Sequence, residues 1–179
     1  MDHADHVDLL RDGVPRVTGT WADLGAGAGA FTLGLAELLP AGSTIHAIDR
    51  DASALRELDG AVARFGRGRE VPRILTRRAD FTRDLDLAAL DGVVMANSLH
   101  FVREKAPVLA RVRAMLRLGG TLLLVEYDVD EGNPWVPHPL SFETWRGVAV
   151  VAGFSEPRLL ATKKSRFLRR IYSAACTRA

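Results

Sequence analysis

The first chemical signal in this chain is a run of glycines set between acidic residues. Trp21-Ala22-Asp23-Leu24 is a short apolar stretch that leads into Gly25-Ala26-Gly27-Ala28-Gly29, and helical periodicity begins at Ala30-Phe31-Thr32. Glycines let a tight turn bring backbone groups against a ligand, and the helix that follows offers unpaired N–H groups. Such a loop suits a nucleotide cofactor. Gly25, Gly27 and Ala30 also fit the dinucleotide fingerprint, so the loop alone does not separate NAD from other adenosyl ligands. Asp49 closes the next apolar run, about the expected distance further on. A carboxylate at a strand's C-terminal edge can accept both hydroxyls of an adenosine ribose. Asp49 could instead cap a helix, as Asp51 does, but the spacing favours the ribose.

These residues need a frame, and the apolar periodicity supplies one. The chain from Trp21 to Leu24 reads as a strand, Phe31 to Leu39 as a helix stopped by Pro40, and Thr44 to Ile48 as a second strand. Leu55, Leu58, Val62 and Phe65 mark a helix ended by Gly66. Arg73 to Arg78 alternates as an edge strand does and finishes in Ala79-Asp80-Phe81. A short helix is expected within Asp84 to Leu90. Gly92 to Ala96 is an apolar run suited to a strand covered on both faces, and Asn97-Ser98-Leu99-His100-Phe101 is its exit. Pro107 to Leu116 is helical, Leu118-Gly119-Gly120 turns, and Thr121 to Glu126 is another buried strand. A long loop, Asp128 to Leu140, holds Trp135 and His138 among three prolines, and loops of that length tend to be functional. A helix through Phe142 and Trp145 ends at Gly153-Phe154. Two strands, Arg158 to Lys163 and Leu168 to Cys176, close the chain in antiparallel fashion across Lys164-Ser165.

Composition narrows the classes. With 179 residues and 47% hydrophobic content, one domain at 21–179 with a short N-terminal flap at 1–20 is expected. A helix around His6 to Arg11 would fold the apolar face Val7, Leu10 and Val14 back over the glycine loop. His3 and His6 are three apart among Asp2, Asp5 and Asp8, but two imidazoles without further ligands make an incomplete site, and no metal is expected. A net charge of +2 does not by itself imply nucleic acid. The lone Cys176 excludes an internal disulfide, and no leader or membrane-length apolar run appears, so a cytoplasmic chain without a membrane partner is expected.

Taken together, the motifs from Trp21 onward resemble the class I S-adenosylmethionine-dependent methyltransferases. Asp23-Leu24-Gly25-Ala26-Gly27-Ala28-Gly29 resembles that family's first motif, Asp49 its ribose acid, Asp80-Phe81 its adenine pair, and Leu118-Gly119-Gly120 its late motif, while Gly153-Phe154 and the hairpin resemble its reversed last strand. Arg50 departs from the pattern, where an apolar residue often packs on adenine; its guanidinium plane could stack instead or point to solvent. The resemblance implies a doubly wound α/β fold, with a seven-stranded, mostly parallel sheet of order 3-2-1-4-5-7-6, the last strand antiparallel, and helices on both faces. It implies S-adenosylmethionine as cofactor and S-adenosylhomocysteine as product. Asp23, Gly25, Ala26 and Gly27 would lie at the methionine end, Asp49 at the ribose, Arg50, Asp80 and Phe81 at the adenine, and the Asn97 backbone beside the methionine amine.

The acceptor is then read mostly by exclusion. The exit Asn97-Ser98-Leu99-His100 lacks the prolines and aromatic usual in methylases of nucleic-acid bases, and Cys176 falls in the final strand, away from the site. Lys163, Lys164, Arg166, Arg169 and Arg170 form the only run suited to RNA, and an exposed hairpin usually carries such charges as a solvated face. A small-molecule acceptor is expected, with Leu99, Tyr127, Trp135 and His138 as pocket walls, joined by Phe101, and Phe142 and Trp145 equally suited to wall or core. His100 is the candidate general base, with His138, Tyr127 and Glu126 behind it. An RNA or protein methyltransferase, a cofactor-binding protein without activity and, further off, an NAD oxidoreductase are the alternatives. A monomer or a homodimer is expected.

Overall fold

The computed structural model describes residues 1–165 and 167–179. The chain runs α1 (His3–Arg11), β1 (Thr20–Leu24), α2 (Ala30–Leu38), β2 (Thr44–Asp49), α3 (Ala52–Phe65), β3 (Arg73–Arg78) and β4 (Leu90–Ala96). It continues through a one-turn 3-10 helix (Leu99–Phe101) to α4 (Lys105–Met115), β5 (Leu116–Tyr127), α5 (Phe142–Val151), β6 (Arg158–Lys164) and β7 (Arg170–Thr177). All seven strands join one sheet in the order β3-β2-β1-β4-β5-β7-β6. The first five run parallel, and β7 is antiparallel to both its neighbours.

Period-two alternation sorts the buried strands between two cores. Ala22, Leu24, Val93, Met95, Leu122 and Leu124 face α4 and α5 on one side, together with Trp145, Phe154 and Tyr172. Trp21, Ile45, Val94, Leu123 and Val125 face the other side, where Leu9, Leu10, Phe31 and Leu35 of α1 and α2 cover them. Leu55 and Leu58 of α3 close over Ala47 beside the second core. Because the parallel strands share one direction, the ends of β1 to β5 all open at the same edge, the usual ligand-binding edge of such sheets.

The N-terminal helix is fixed to this frame. Asp2 and Asp5 form a reciprocal capping box at its start, so it begins at His3, earlier than the apolar pattern indicates. Val7, Leu9 and Leu10 are buried, and Lys163 of β6 holds Asp5 at 2.8 Å and Asp8 at 3.1 Å.

Three expectations change. The segment from Asp84 to Ala89 forms no helix: Asp86 and Ala89 take left-handed backbone angles, Leu85 is drawn into the core and its carbonyl accepts from the Arg77 guanidinium. Gly119, with φ +72°, makes an irregularity within β5, where pairing to β4 jumps from Leu90↔Leu116 to Gly92↔Thr121, in place of a turn between elements. The final strand starts at Arg170, two residues later than expected, and the strand before it runs one residue further, to Lys164. Arg166, part of the basic run singled out in the sequence, lies outside the described residues.

Candidate cofactor site

The glycine loop is held against the end of β2. The amides of Gly25 and Ala26 both donate to the Ile48 carbonyl, at 2.8 and 3.0 Å, and the Gly27 amide donates to Asp49 Oδ2 at 2.8 Å. Asp49 Oδ1 accepts from the Asp51 amide at 2.8 Å. Each Asp49 oxygen therefore has one lone pair engaged and one remaining. Gly25 sits at φ +85°, and a Cβ there would lie 2.4 Å from the Cβ of Ser98, so only glycine fits. Ser98 Oγ in turn donates to the Leu24 carbonyl at 2.6 Å and locks the end of β4 to β1.

A cleft opens along this edge in two joined lobes that share Gly25, Asp49, Asn97 and Phe101. The first is walled by Arg50, Ala79, Asp80, Phe81, Thr82, Ser98 and Val102. Thr82 donates to Asp80 Oδ1 through both its amide (2.9 Å) and its hydroxyl (2.7 Å), and these bonds hold the Asp80 carboxyl below the usual carboxylate range. The second lobe is walled by His6, Asp23, Ala26, Gly27, Ala28, Ala30, Phe31 and Ala96. Asp23 is fully buried, and burial pushes its carboxyl up to about 6. A hydrogen bond of 2.6 Å from Thr32 Oγ1 opposes that rise, and the nearby Asp49 adds to it. Asn97 is left-handed (φ 52°), and its buried Oδ1 has no hydrogen-bond partner among the described residues.

The residues expected at a cofactor site thus do meet in one cleft: Asp23, Gly25, Ala26, Gly27, Asp49, Arg50, Asp80, Phe81 and Asn97 all line it. His6, Phe31, Thr82, Ser98 and Val102 join them without having been singled out for that place. His3 diverges from His6 to pair with Glu37 at 2.7 Å, so the two imidazoles do not converge on one point.

The acceptor-side residues divide. His100 is buried, and its Nδ1 lies 2.9 and 3.0 Å from the two oxygens of the fully buried Glu126, whose Oε1 also accepts from the Tyr127 amide at 2.7 Å. An ionised carboxylate only accepts, which assigns the His100 proton to Nδ1 and leaves the lone pair on Nε2. His138 meets His100 through the backbone, its amide donating to the His100 carbonyl at 3.0 Å, while Lys105 Nζ ties the His138 and Val102 carbonyls together at 2.9 Å each. From the cleft outward the rings follow one another: Phe101 to His100 (4.3 Å between centroids), His100 to Tyr127 (6.0 Å), Tyr127 to Phe167 (5.9 Å) and Phe167 to Trp135 (6.2 Å). Trp135 is 70% exposed.

Leu99 is not among the residues that wall this cleft. It is fully buried in the core with Val108, Leu109 and Trp145, because the 3-10 turn points it inward beneath α4. Trp145 is core as well, and Phe142 packs edge-on against Tyr172 at 5.6 Å.

A seven-stranded sheet of this order, with its glycine loop and strand-end acids in one cleft, defines the architecture of a methyltransferase. Residues 22–122 match the family described as "Methyltransferase domain", and the chain belongs to it. Relatives include uncharacterized methyltransferases of Mycobacterium tuberculosis and Mycobacterium bovis, each 33% identical over 124 residues, which cover 68% of this chain. The chain spans 58% of the length of these relatives. Among solved structures, the YcgJ protein from Bacillus subtilis is similar with a TM-score of 0.77 at 12% identity, covering 99% of this chain and 100% of that one. A SAM-dependent methyltransferase from Aquifex aeolicus gives 0.75 at 16% identity, covering 98% and 90%. Both likenesses concern the fold.

Proposed function

We propose that the chain binds S-adenosylmethionine in this cleft and transfers its methyl group to a small molecule. The observation that carries the reading is the joint placement of Asp23, Asp49, Asp80 and the unpartnered Asn97 Oδ1 around one glycine loop. The residues fit the cofactor group by group. The remaining lone pairs of Asp49 suit two ribose hydroxyls, Phe81 and the Arg50 plane suit an adenine, and Asp23 with Asn97 Oδ1 suits a cationic amino-acid end. When bound, the sulfonium supplies a methyl group already activated for displacement.

What the chain adds is alignment, exclusion of water and a place for a proton. Phe101 stands at the junction of the cleft and the aromatic file that runs to Trp135, and an aromatic surface of this kind suits a planar or apolar acceptor. Glu126 orients His100 as a base for an acceptor hydroxyl that must lose its proton.

A nucleic-acid acceptor has less support. Lys163 is spent on Asp5 and Asp8, and Arg170 on Asp128, so two members of the basic run are already paired with acids. Cys176 lies in β7 with its thiol pushed up to about 12 by burial, which is unsuited to nucleophilic attack on a base. Incubation with methyl-labelled cofactor and a panel of hydroxylated aromatic metabolites, with RNA and a protein mixture as competitors, tests the assignment. Label appearing only in RNA or protein would overturn the small-molecule reading.

A further inference from the structure

A second opening lies between α4 and α5, and it shares no lining residue with the cofactor cleft. The two helices run parallel there. Their leading ends are joined where Lys105 Nζ donates to the His138 carbonyl at 2.9 Å, and their trailing ends where Arg113 Nε donates to the Gly153 carbonyl at 3.0 Å. Between them is an open groove of about 560 Å³.

The groove differs from end to end. Arg103 and Lys105 stand where the helices begin, and Leu109, Gly147, Val148 and Val151 carry an apolar wall toward the trailing end. Among the described residues no acid lines it. Val151 is 90% exposed and its neighbour Val150 51%, and contiguous exposed apolar surface marks a binding face. Arg103 is exposed and joins no ion pair among the described residues. Lys105 spends two of its three N–H groups on the Val102 and His138 carbonyls and keeps one. Burial holds its ammonium below the usual lysine range, against the partial opposition of Glu126 and Glu104, so a further anion beside it is favoured.

Scale argues against a protein as the occupant. Nine residues line the groove, where a stable protein interface takes roughly 20–30 a side, and its volume falls within the roughly 300–1,000 Å³ of small-molecule sites. We infer that the groove between α4 and α5 binds a single-chain amphiphile with an anionic head, the chain lying along Leu109, Gly147, Val148 and Val151 and the head on Arg103 and Lys105.

Decanoate and decanol share one chain and differ in the charge of the head, and the test titrates each calorimetrically into the full-length chain. Wild type should bind decanoate at one saturable site, about tenfold tighter than decanol, as expected for a hydrogen bond to a charged group. Arg103→Ala should remove most of that difference and leave decanol unchanged. Gly147→Phe should abolish binding of both, because open space stands where a Cβ would project and the ring fills the groove. Helix propensity rises in that variant, so its urea midpoint should not fall below that of wild type. Absence of saturable decanoate binding overturns the inference, as does decanoate binding that survives in a folded Gly147→Phe chain. An unchanged decanoate affinity in Arg103→Ala, an exposed position whose test stands however Gly147→Phe folds, overturns the anionic head. A wild-type dimer that Gly147→Phe converts to monomer in sedimentation would give the groove to a second copy of the chain and overturn the amphiphile.

Discussion

Thr32 Oγ1 donates to Asp23 Oδ2 at 2.6 Å, with both side chains buried at the base of the cleft. This one bond does not compensate for the loss of water around the carboxyl, so Asp23 holds its proton to about pH 6 in the fold, against 3.8 in its ordinary range. Between those values the folded chain binds more protons than the unfolded one. Stability therefore falls as pH rises through that window, by about 3 kcal/mol in full. Asp23→Asn removes the titration. The stability of the variant relative to wild type, from urea unfolding at pH 4 to 7.5, should improve across the window by about that amount. A difference that is flat with pH would contradict the account.

The same carboxyl should couple binding to protons. An ammonium brought to the second lobe favours ionised Asp23, so S-adenosylhomocysteine should bind more tightly as pH rises from 5 to 7 and release a proton on binding near pH 5.5. Asp49 and His6 face the same lobe. The comparison is therefore made with Asp23→Asn, which should lose the added slope in titrations run in buffers of different ionisation heat.

His100 and Glu126 separate turnover from stability. Glu126→Ala leaves the buried His100 Nδ1–H and the half-buried Tyr127 amide without their acceptor, a cost on the order of 3 kcal/mol in unfolding free energy. His100→Ala should lower turnover about a hundredfold on the acceptor found by the panel, with S-adenosylhomocysteine affinity unchanged. Near-normal turnover would assign His100 to the wall of the site and leave catalysis to alignment.

Packing between β1 and β4 is tight enough to be tested at one atom. Trp21 and Gly92 are register partners, and a Cβ on Gly92 would stand 2.3 Å from the Trp21 ring. Gly92→Ala should cost about 1–3 kcal/mol in urea unfolding through this overlap, with the denaturant slope unchanged.

Much of this was legible in the sequence because local chemistry and global position agree there. The glycine loop needs its residues at fixed spacing, Asp49 and Asp80 end strands that announce themselves by alternation, and the order of the strands follows from the family resemblance. What was not legible depends on partners distant in the chain. Leu85 is buried without a helix because Arg77 and the core hold it. Leu99 turns inward under α4, where its place in the strand exit suggested a wall. His6 precedes the glycine loop by many residues and carries no spacing signal; its place in the cleft depends on Lys163, more than a hundred and fifty residues later, anchoring the acids on either side of it.

The central claim, that this cleft is built for an S-adenosyl ligand, is tested most directly by equilibrium titration of S-adenosylhomocysteine and of NAD into wild type and Asp49→Ala. The account predicts tighter binding of S-adenosylhomocysteine than of NAD, and a ten- to hundredfold loss, about 1.5–3 kcal/mol, in the variant. Tighter binding of NAD, or an unchanged dissociation constant for S-adenosylhomocysteine in Asp49→Ala, would contradict it.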